Sequence, residues 1–105
     1  MRAGDLLVCS GQVGILDGVL AEGVAGQVRQ AVENLTSVLG SEGAALTDVV
    51  KTTVFLVDMD DFGAMNAAYV EAFGAHRPAR SAVAVRALPL GATVEIEAWA
   101  HRPSS

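Results

Sequence analysis

The run VVKTTVFLVD, residues 49–58, narrows the fold more than any other stretch of the chain. Six of its ten residues are β-branched, and side chains of that shape pack best on a pleated, covered surface, so the run predicts an interior strand. Helical periodicity flanks it on both sides. Before it, Val24, Val28, Ala31, Leu35 and Val38 recur at intervals of four and three, which predicts a helix over 24–39 with Gly40 as its stop. After it, Asp58 is placed to cap a second helix and Asp61 to meet the positive end of its dipole. Phe62, Met65, Tyr69 and Phe73 form the apolar face of that helix, and Gly74 closes it. A strand bracketed by two one-faced helices calls for a sheet with helices laid against it.

The remaining segments supply the rest of the sheet. LLVCS, residues 6–10, predicts a strand ended by Gly11, and GILDGVLAEG reads as a loop or irregular hairpin. Residues 79–88 and 93–100 predict two strands joined across LPLG as an antiparallel pair. The order strand, helix, strand, helix, strand, strand places the chain in the α+β class, with one mixed sheet and two helices on a single face. Its 105 residues make one domain, with RPSS (102–105) as a loose tail. The strands are not cleanly polar on either side, so the face without helices is expected to be covered by self-association.

Composition excludes several classes of function. Hydrophobic residues make up 51% of the chain and charged residues 18%, which argues against disorder. Seven Lys and Arg against twelve Asp and Glu leave a net charge of -5 and no polybasic segment, so nucleic acid is a poor partner. The apolar runs are too short for a membrane span, and the opening lacks a signal-like pattern, so a cytoplasmic protein is expected. Cys9 is the only cysteine and lies in an apolar run far from either histidine, an unconvincing nucleophile. His76 and His101 lack metal-site spacing, and GQVGILDG lacks the spacing of a nucleotide fingerprint. Neither a metal nor a cofactor is expected.

A few polar residues could carry chemistry. Arg80 follows Pro78 at a strand entrance, where its planar fork suits a carboxylate or phosphate oxygen pair; the plainer reading is a surface arginine or an ion pair to Glu95 or Glu97. Arg86 carries the same two readings. Glu95 and Glu97 alternate with Val94, Ile96 and Ala98 and so share one strand face, as a general acid or as a solvated surface. Asn66 lies one helical turn before Tyr69, able to face a ligand or to cap a loop. Ser10, Gly11 and Gln12 can offer backbone and side-chain hydrogen bonds or form only a turn.

Taken in order, SGQVG, QAVENLTSVL, VVKTTVFLVDMDDFGAMNAAY, RPARSAVAV and ALPLGATVEIEAWA resemble the RidA family of reactive imine and enamine deaminases, over about residues 9–100. The resemblance implies a two-layer chorismate-mutase-like domain and a homotrimer with active sites in the clefts between subunits. It implies that Arg80 binds the substrate carboxylate and that Glu95, rather than Glu97, activates water and transfers protons. Asn66, Ser10 and Gly11 match pocket positions, and the backbone carbonyl of Ala82 would help hold the water. The implied reaction is hydrolysis of a 2-imino or 2-enamino acid to a 2-keto acid and ammonia, with no cofactor. The chain departs from the family pattern at three places. The sequence begins only a few residues before CSGQ, so the N-terminal strand whose tyrosine lines the family's pocket is expected to have no counterpart in it, either because the chain is a shorter variant or because it starts further upstream; Ala82 stands where cysteine is frequent; and Arg77 stands where an aromatic or apolar residue is usual. The missing tyrosine and Arg77 also suit a specialised deaminase of pyrimidine or aromatic-compound degradation. A non-catalytic trimeric module binding small carboxylates is the third reading.

Overall fold

The structure, a computed structural model, describes residues 1–103. In chain order the elements are β1 (Arg2–Ala3), β2 (Leu6–Val13), β3 (Ile15–Leu16), β4 (Val19–Leu20), α1 (Gly23–Ser41), β5 (Val49–Leu56), α2 (Phe62–Phe73), β6 (Ala79–Ala84) and β7 (Val94–His101). Five strands form one mixed sheet in the order β1-β2-β7-β5-β6, and β3 and β4 form a separate hairpin. Both helices pack on one face of the sheet, giving the two-layer α+β arrangement that the alternation of elements predicts.

The run at 49–58 is interior, as its composition requires: β5 lies between β6 and β7. Val54 and Leu56 are fully buried with Val94, Ile96, Ala98 and Ala100 of β7 against Val28, Leu35, Leu39 and Met65 of the helices. Alternation sends the intervening residues to the face that carries no helix, where Phe55, Glu95 and Glu97 are half-buried and Trp99 and Val83 are each 43% exposed. An uncovered sheet face bearing an exposed tryptophan is the apolar surplus that the sequence predicts.

The last two strands do not form a hairpin. β6 runs parallel to β5, from Lys51 opposite Ala79 to Leu56 opposite Ala84, while β7 pairs antiparallel with the other edge of β5. The reason is α2: a helix between two strands carries the chain back to its starting end, and the strand that follows lies parallel. β6 also stops at Ala84, short of the predicted residue 88. The connection then passes through the turn Pro89–Gly91 and crosses to the far side of β5.

Smaller differences have local causes. β2 continues through Gly11 to Val13 because Ser10 and Gly11 form a β-bulge opposite Glu97, between the pairs Cys9–Ala98 and Gln12–Ile96. Leu39, not Val38, completes the buried stripe of α1, since four steps from Leu35 stay on the core-facing line. The helix runs past Gly40 to Ser41 and ends at Gly43, whose φ of 77° lets Ala44 N–H reach Leu39 O at 2.9 Å and Gly43 N–H reach Gly40 O at 3.1 Å. A Cβ at Gly43 would meet nothing within 4 Å, so Gly43→Ala is expected to lower unfolding stability by about 1 kcal/mol through backbone strain alone, read by urea denaturation. Asp58 does cap the next turn, accepting from Asp60 N–H at 2.9 Å.

Arg102, expected in a loose tail, is tied down. Its N–H donates to Asp5 O at 2.8 Å, its carbonyl accepts from Arg2 Nη1 at 2.8 Å, and its guanidinium lies 3.8 Å from Asp48. β1, which is too short to announce itself by pattern, sets up these contacts by pairing with β2. Ser104 and Ser105 of the predicted tail lie outside the described residues. Among the described residues no helix is long and apolar enough to cross a membrane.

Candidate functional site

Arg80 is the second residue of the edge strand β6 and stands opposite Thr52 of β5. Thr52 points toward the helices, so its parallel neighbour does too. There the Arg80 guanidinium meets one face of α2, where Phe62, Asn66 and Tyr69 follow one another at intervals of four and three. Nη1 donates to Asn66 Oδ1 at 2.7 Å, and the guanidinium carbon lies 4.7 Å from the Tyr69 ring centre and 5.5 Å from that of Phe62. Neither Glu95 nor Glu97 pairs with it; among the described residues the ion pair found is Arg102 with Asp48. Asn66 therefore faces Arg80, not a loop end. Apart from the bond to Asn66, no hydrogen bond engages the guanidinium among the described residues, so most of its fork is available to an oxygen pair.

Ala82 belongs to the same half of the molecule. It follows Arg80 by two positions, opposite Val54. Val85 N–H donates inward to Leu56 O at 2.7 Å, and backbone alternation then turns the Ala82 carbonyl outward from the sheet edge.

Glu95 lies on the other face. It stands opposite Phe55 on one side and Val13 on the other, with its carboxylate over the Ser10–Gly11 bulge. A Cβ built on Gly11 would fall on the Glu95 carboxylate and within 2.7 Å of its Cγ, so glycine at 11 is what leaves the acid its place. Ser10 is exposed beside it, its carbonyl accepting from Gln12 Nε2 at 3.3 Å. Glu97 shares the face, opposite Thr53.

One chain thus carries two candidate half-sites on opposite faces of its sheet. Arg80, Asn66 and Ala82 form the first; Glu95, Gly11 and Ser10 form the second. A groove of about 460 Å³ lies elsewhere, beside α1, lined by Arg29, Val32, Glu33, Thr36 and Ala72, and contains none of these residues.

The side chains of Arg77, His76, Arg86 and Cys9 make no hydrogen bond to either half among the described residues. Arg77 folds back on the end of α2, donating to Gly74 O and, at 2.9 Å, to His76 O, where a cation suits the helix dipole. His76 Nε2 is bonded to Val49 O at 2.7 Å, and Arg86 is exposed in the loop after β6. Burial pushes the Cys9 thiol up from its ordinary value; Glu42 adds to this and the N-terminal ammonium opposes it, so the thiolate is disfavoured.

Three residues that sequence reasoning did not single out shape the first half-site. Periodicity places Phe62 and Tyr69 only on the apolar face of the helix, yet both reach Arg80. Thr52 is fully buried and shares a 2.7 Å hydrogen bond with the Tyr69 hydroxyl. The available signal was a hydroxyl amid Val and Leu in an interior strand. Gln27 is likewise buried; its Oε1 accepts from Thr93 N–H at 2.8 Å and Thr93 Oγ1 at 2.9 Å, anchoring the entry to β7.

Tyr69 is the only tyrosine of the chain, and burial raises its phenol above the ordinary value of 10.0, with the Thr52 hydrogen bond and the charges of Arg80 and Arg77 pulling the other way. A folded-state value above the unfolded one means that the unfolded chain loses this proton first. The contribution of the phenol is therefore whole below the unfolded value and is lost as pH rises through the folded one. In urea titrations at rising alkaline pH, wild type is expected to show a loss of stability that Tyr69→Phe lacks.

The chain matches the family model described as endoribonuclease L-PSP over residues 1–102. It is 41% identical over 104 residues to the 2-iminobutanoate/2-iminopropanoate deaminase of Salmonella typhimurium, covering 94% of this chain and 81% of that protein. It is 44% identical over 101 residues to the mitochondrial protein mmf1 of Schizosaccharomyces pombe, covering 92% of this chain and 62% of that longer protein. Its fold superimposes on the crystal structure of RidA from the Antarctic bacterium Psychrobacter sp. with a TM-score of 0.90 at 38% identity, over 96% of this chain and 84% of the other. A match along nearly the whole chain, joined to a shared fold at this level of identity, places the protein in the RidA, or endoribonuclease L-PSP, family.

Proposed function

We propose that this protein hydrolyses reactive 2-imino and 2-enamino acids to 2-keto acids and ammonia, as a cytoplasmic homotrimer whose sites lie between subunits. The observation that carries the reading is the separation of the two half-sites: a carboxylate-binding fork on one face and a carboxylate acid-base group on the other can act on one molecule only if different copies supply them. The uncovered sheet face with its exposed Trp99 and Val83 supports the assembly, and the name of the Salmonella relative supports the substrate class. The net charge of -5 and the single lysine, Lys51, argue against RNA as the substrate, despite the description of the family model.

The chemistry follows from the groups at hand. Arg80 clamps the substrate carboxylate through paired N–H donors and thereby places the imine carbon. Water held between Glu95 of a second copy and the Ala82 carbonyl adds to that carbon; Glu95 takes a water proton and delivers it to nitrogen, forming a carbinolamine. A further proton transfer to nitrogen expels ammonia as the hydroxyl oxygen becomes the keto oxygen. An enamine enters the same route once its β-carbon is protonated. Ser10 and Gly11 line the approach, and the imine is electrophilic enough to need no cofactor.

The test is to generate small 2-imino acids with an amino-acid oxidase in the presence of a trapping reagent and measure imine loss. Purified protein is expected to outcompete the trap; absence of acceleration across several imino acids overturns the proposal. Binding of 2-oxobutanoate without turnover would instead select the non-catalytic module.

A further inference from the structure

We infer that Thr52 and Tyr69 are positioning residues, which together set the plane of the Arg80 guanidinium before a ligand arrives. The inference deepens the carboxylate-binding role proposed for Arg80 and rests on that reading. Thr52 is 0% and Tyr69 3% exposed, so neither can touch a substrate in the chain as folded. Valine would fill the space of Thr52 amid Val54 and Leu56 without bringing a polar group into the core. The hydroxyl instead makes a 2.7 Å bond to the Tyr69 hydroxyl, and no buried side-chain polar atom among the described residues lacks a partner. That bond fixes the far end of the ring, while stacking on Phe73 at 4.5 Å between centres holds its body. The ring face so held lies 4.7 Å from the Arg80 guanidinium carbon, and Asn66 Oδ1 holds Nη1 at 2.7 Å. One contact holds the guanidinium carbon over the tyrosine ring and the other holds one of its N–H groups, so two separate points of the fork are restrained. A fork oriented in advance loses less freedom on meeting a carboxylate.

The experiment compares full-length wild type with Thr52→Val, Thr52→Ser and Tyr69→Phe. The nitrogen-edited NMR signal of Arg80 Nε–H, assigned by its loss in Arg80→Lys, is read in the free protein. In wild type and Thr52→Ser it is expected at a ring-shifted position, and in Thr52→Val and Tyr69→Phe displaced toward ordinary arginine. Where imines turn over, loss of the hydroxyl pair is expected to raise KM about fivefold with kcat changed by no more than about twofold, because the carboxylate contact is made equally in ground and transition states. Thr52→Ser loses core packing but keeps the hydroxyl, so its KM stays near wild type even as its melting temperature falls. An unmoved Arg80 signal in Thr52→Val, or a KM that follows melting temperature and not the hydroxyl, overturns the inference. Wild-type turnover judges the functional reading separately, since the Arg80 signal is read without substrate.

Discussion

Arg80→Ala and Glu95→Ala proteins, each nearly inactive alone, are expected to regain about a quarter of wild-type imine hydrolysis when unfolded, mixed in equal amounts and refolded together. In the proposed trimer, each cleft takes Arg80 from one copy and Glu95 from another. With random assembly, half of the first contributors retain Arg80 and half of the second retain Glu95. Alone, Arg80→Ala loses a charge-assisted, two-toothed grip on the carboxylate and is expected to fall by about a hundredfold in kcat/KM. Glu95→Ala loses proton transfer and is expected to fall by about 10² to 10⁴ in kcat. Rescue in the mixture, measured as imine loss against the trapping reagent, follows from the placement of the two residues on opposite faces of one sheet. Mixed trimers that form, as mass spectrometry would show, yet stay inactive would place both residues of a working site in one copy.

Gly11→Ala is the second large effect, and it separates activity from stability. The added methyl overlaps the Glu95 carboxylate and displaces it, while the atoms it meets are the far end of a flexible side chain. The fold can therefore absorb the change by moving one side chain, at a cost of about 1 kcal/mol or less by comparison with overpacking in a rigid core. Catalysis cannot, because a misplacement of about 1 Å in a reacting group costs about a hundredfold. The expected result is a near-normal melting temperature with kcat lowered about a hundredfold. A variant as active as wild type would show that Glu95 does its work from a position Gly11 does not control.

The contrast between these two variants also shows how far the site was legible. Arg80 and the pair Glu95 and Glu97 stand out as candidates from their surroundings in the chain, because a guanidinium at a strand entrance and acids alternating with Val94, Ile96 and Ala98 are local facts, whereas the choice of Glu95 over Glu97 comes only from the resemblance to the RidA family. For Gly11 the residues themselves show only a flexible neighbour of Ser10, and the resemblance adds that it matches a pocket position. Its actual task depends on the bulge that brings it over Glu95, some 80 positions away in the chain. Asn66 looked equally able to meet a ligand or a loop, and the partner that resolved the choice is a side chain of another element.

The same division holds for the fold. Periodicity and β-branching determined that this chain makes an interior strand between two one-faced helices, since those signals come from side chains within one element and from the 3.6- and 2-residue repeats of the backbone. Burial on one face of β7 and the capping role of Asp58 follow in the same way. Tertiary structure alone decided that β6 lies parallel to β5 and that β7 crosses to the other edge, because strand neighbours are chosen by helix packing and crossover geometry. With that choice made, Arg80 and Glu95 came to rest on opposite faces of the sheet although only 15 positions separate them in the chain, because side-chain alternation assigns a face only once strand neighbours are set.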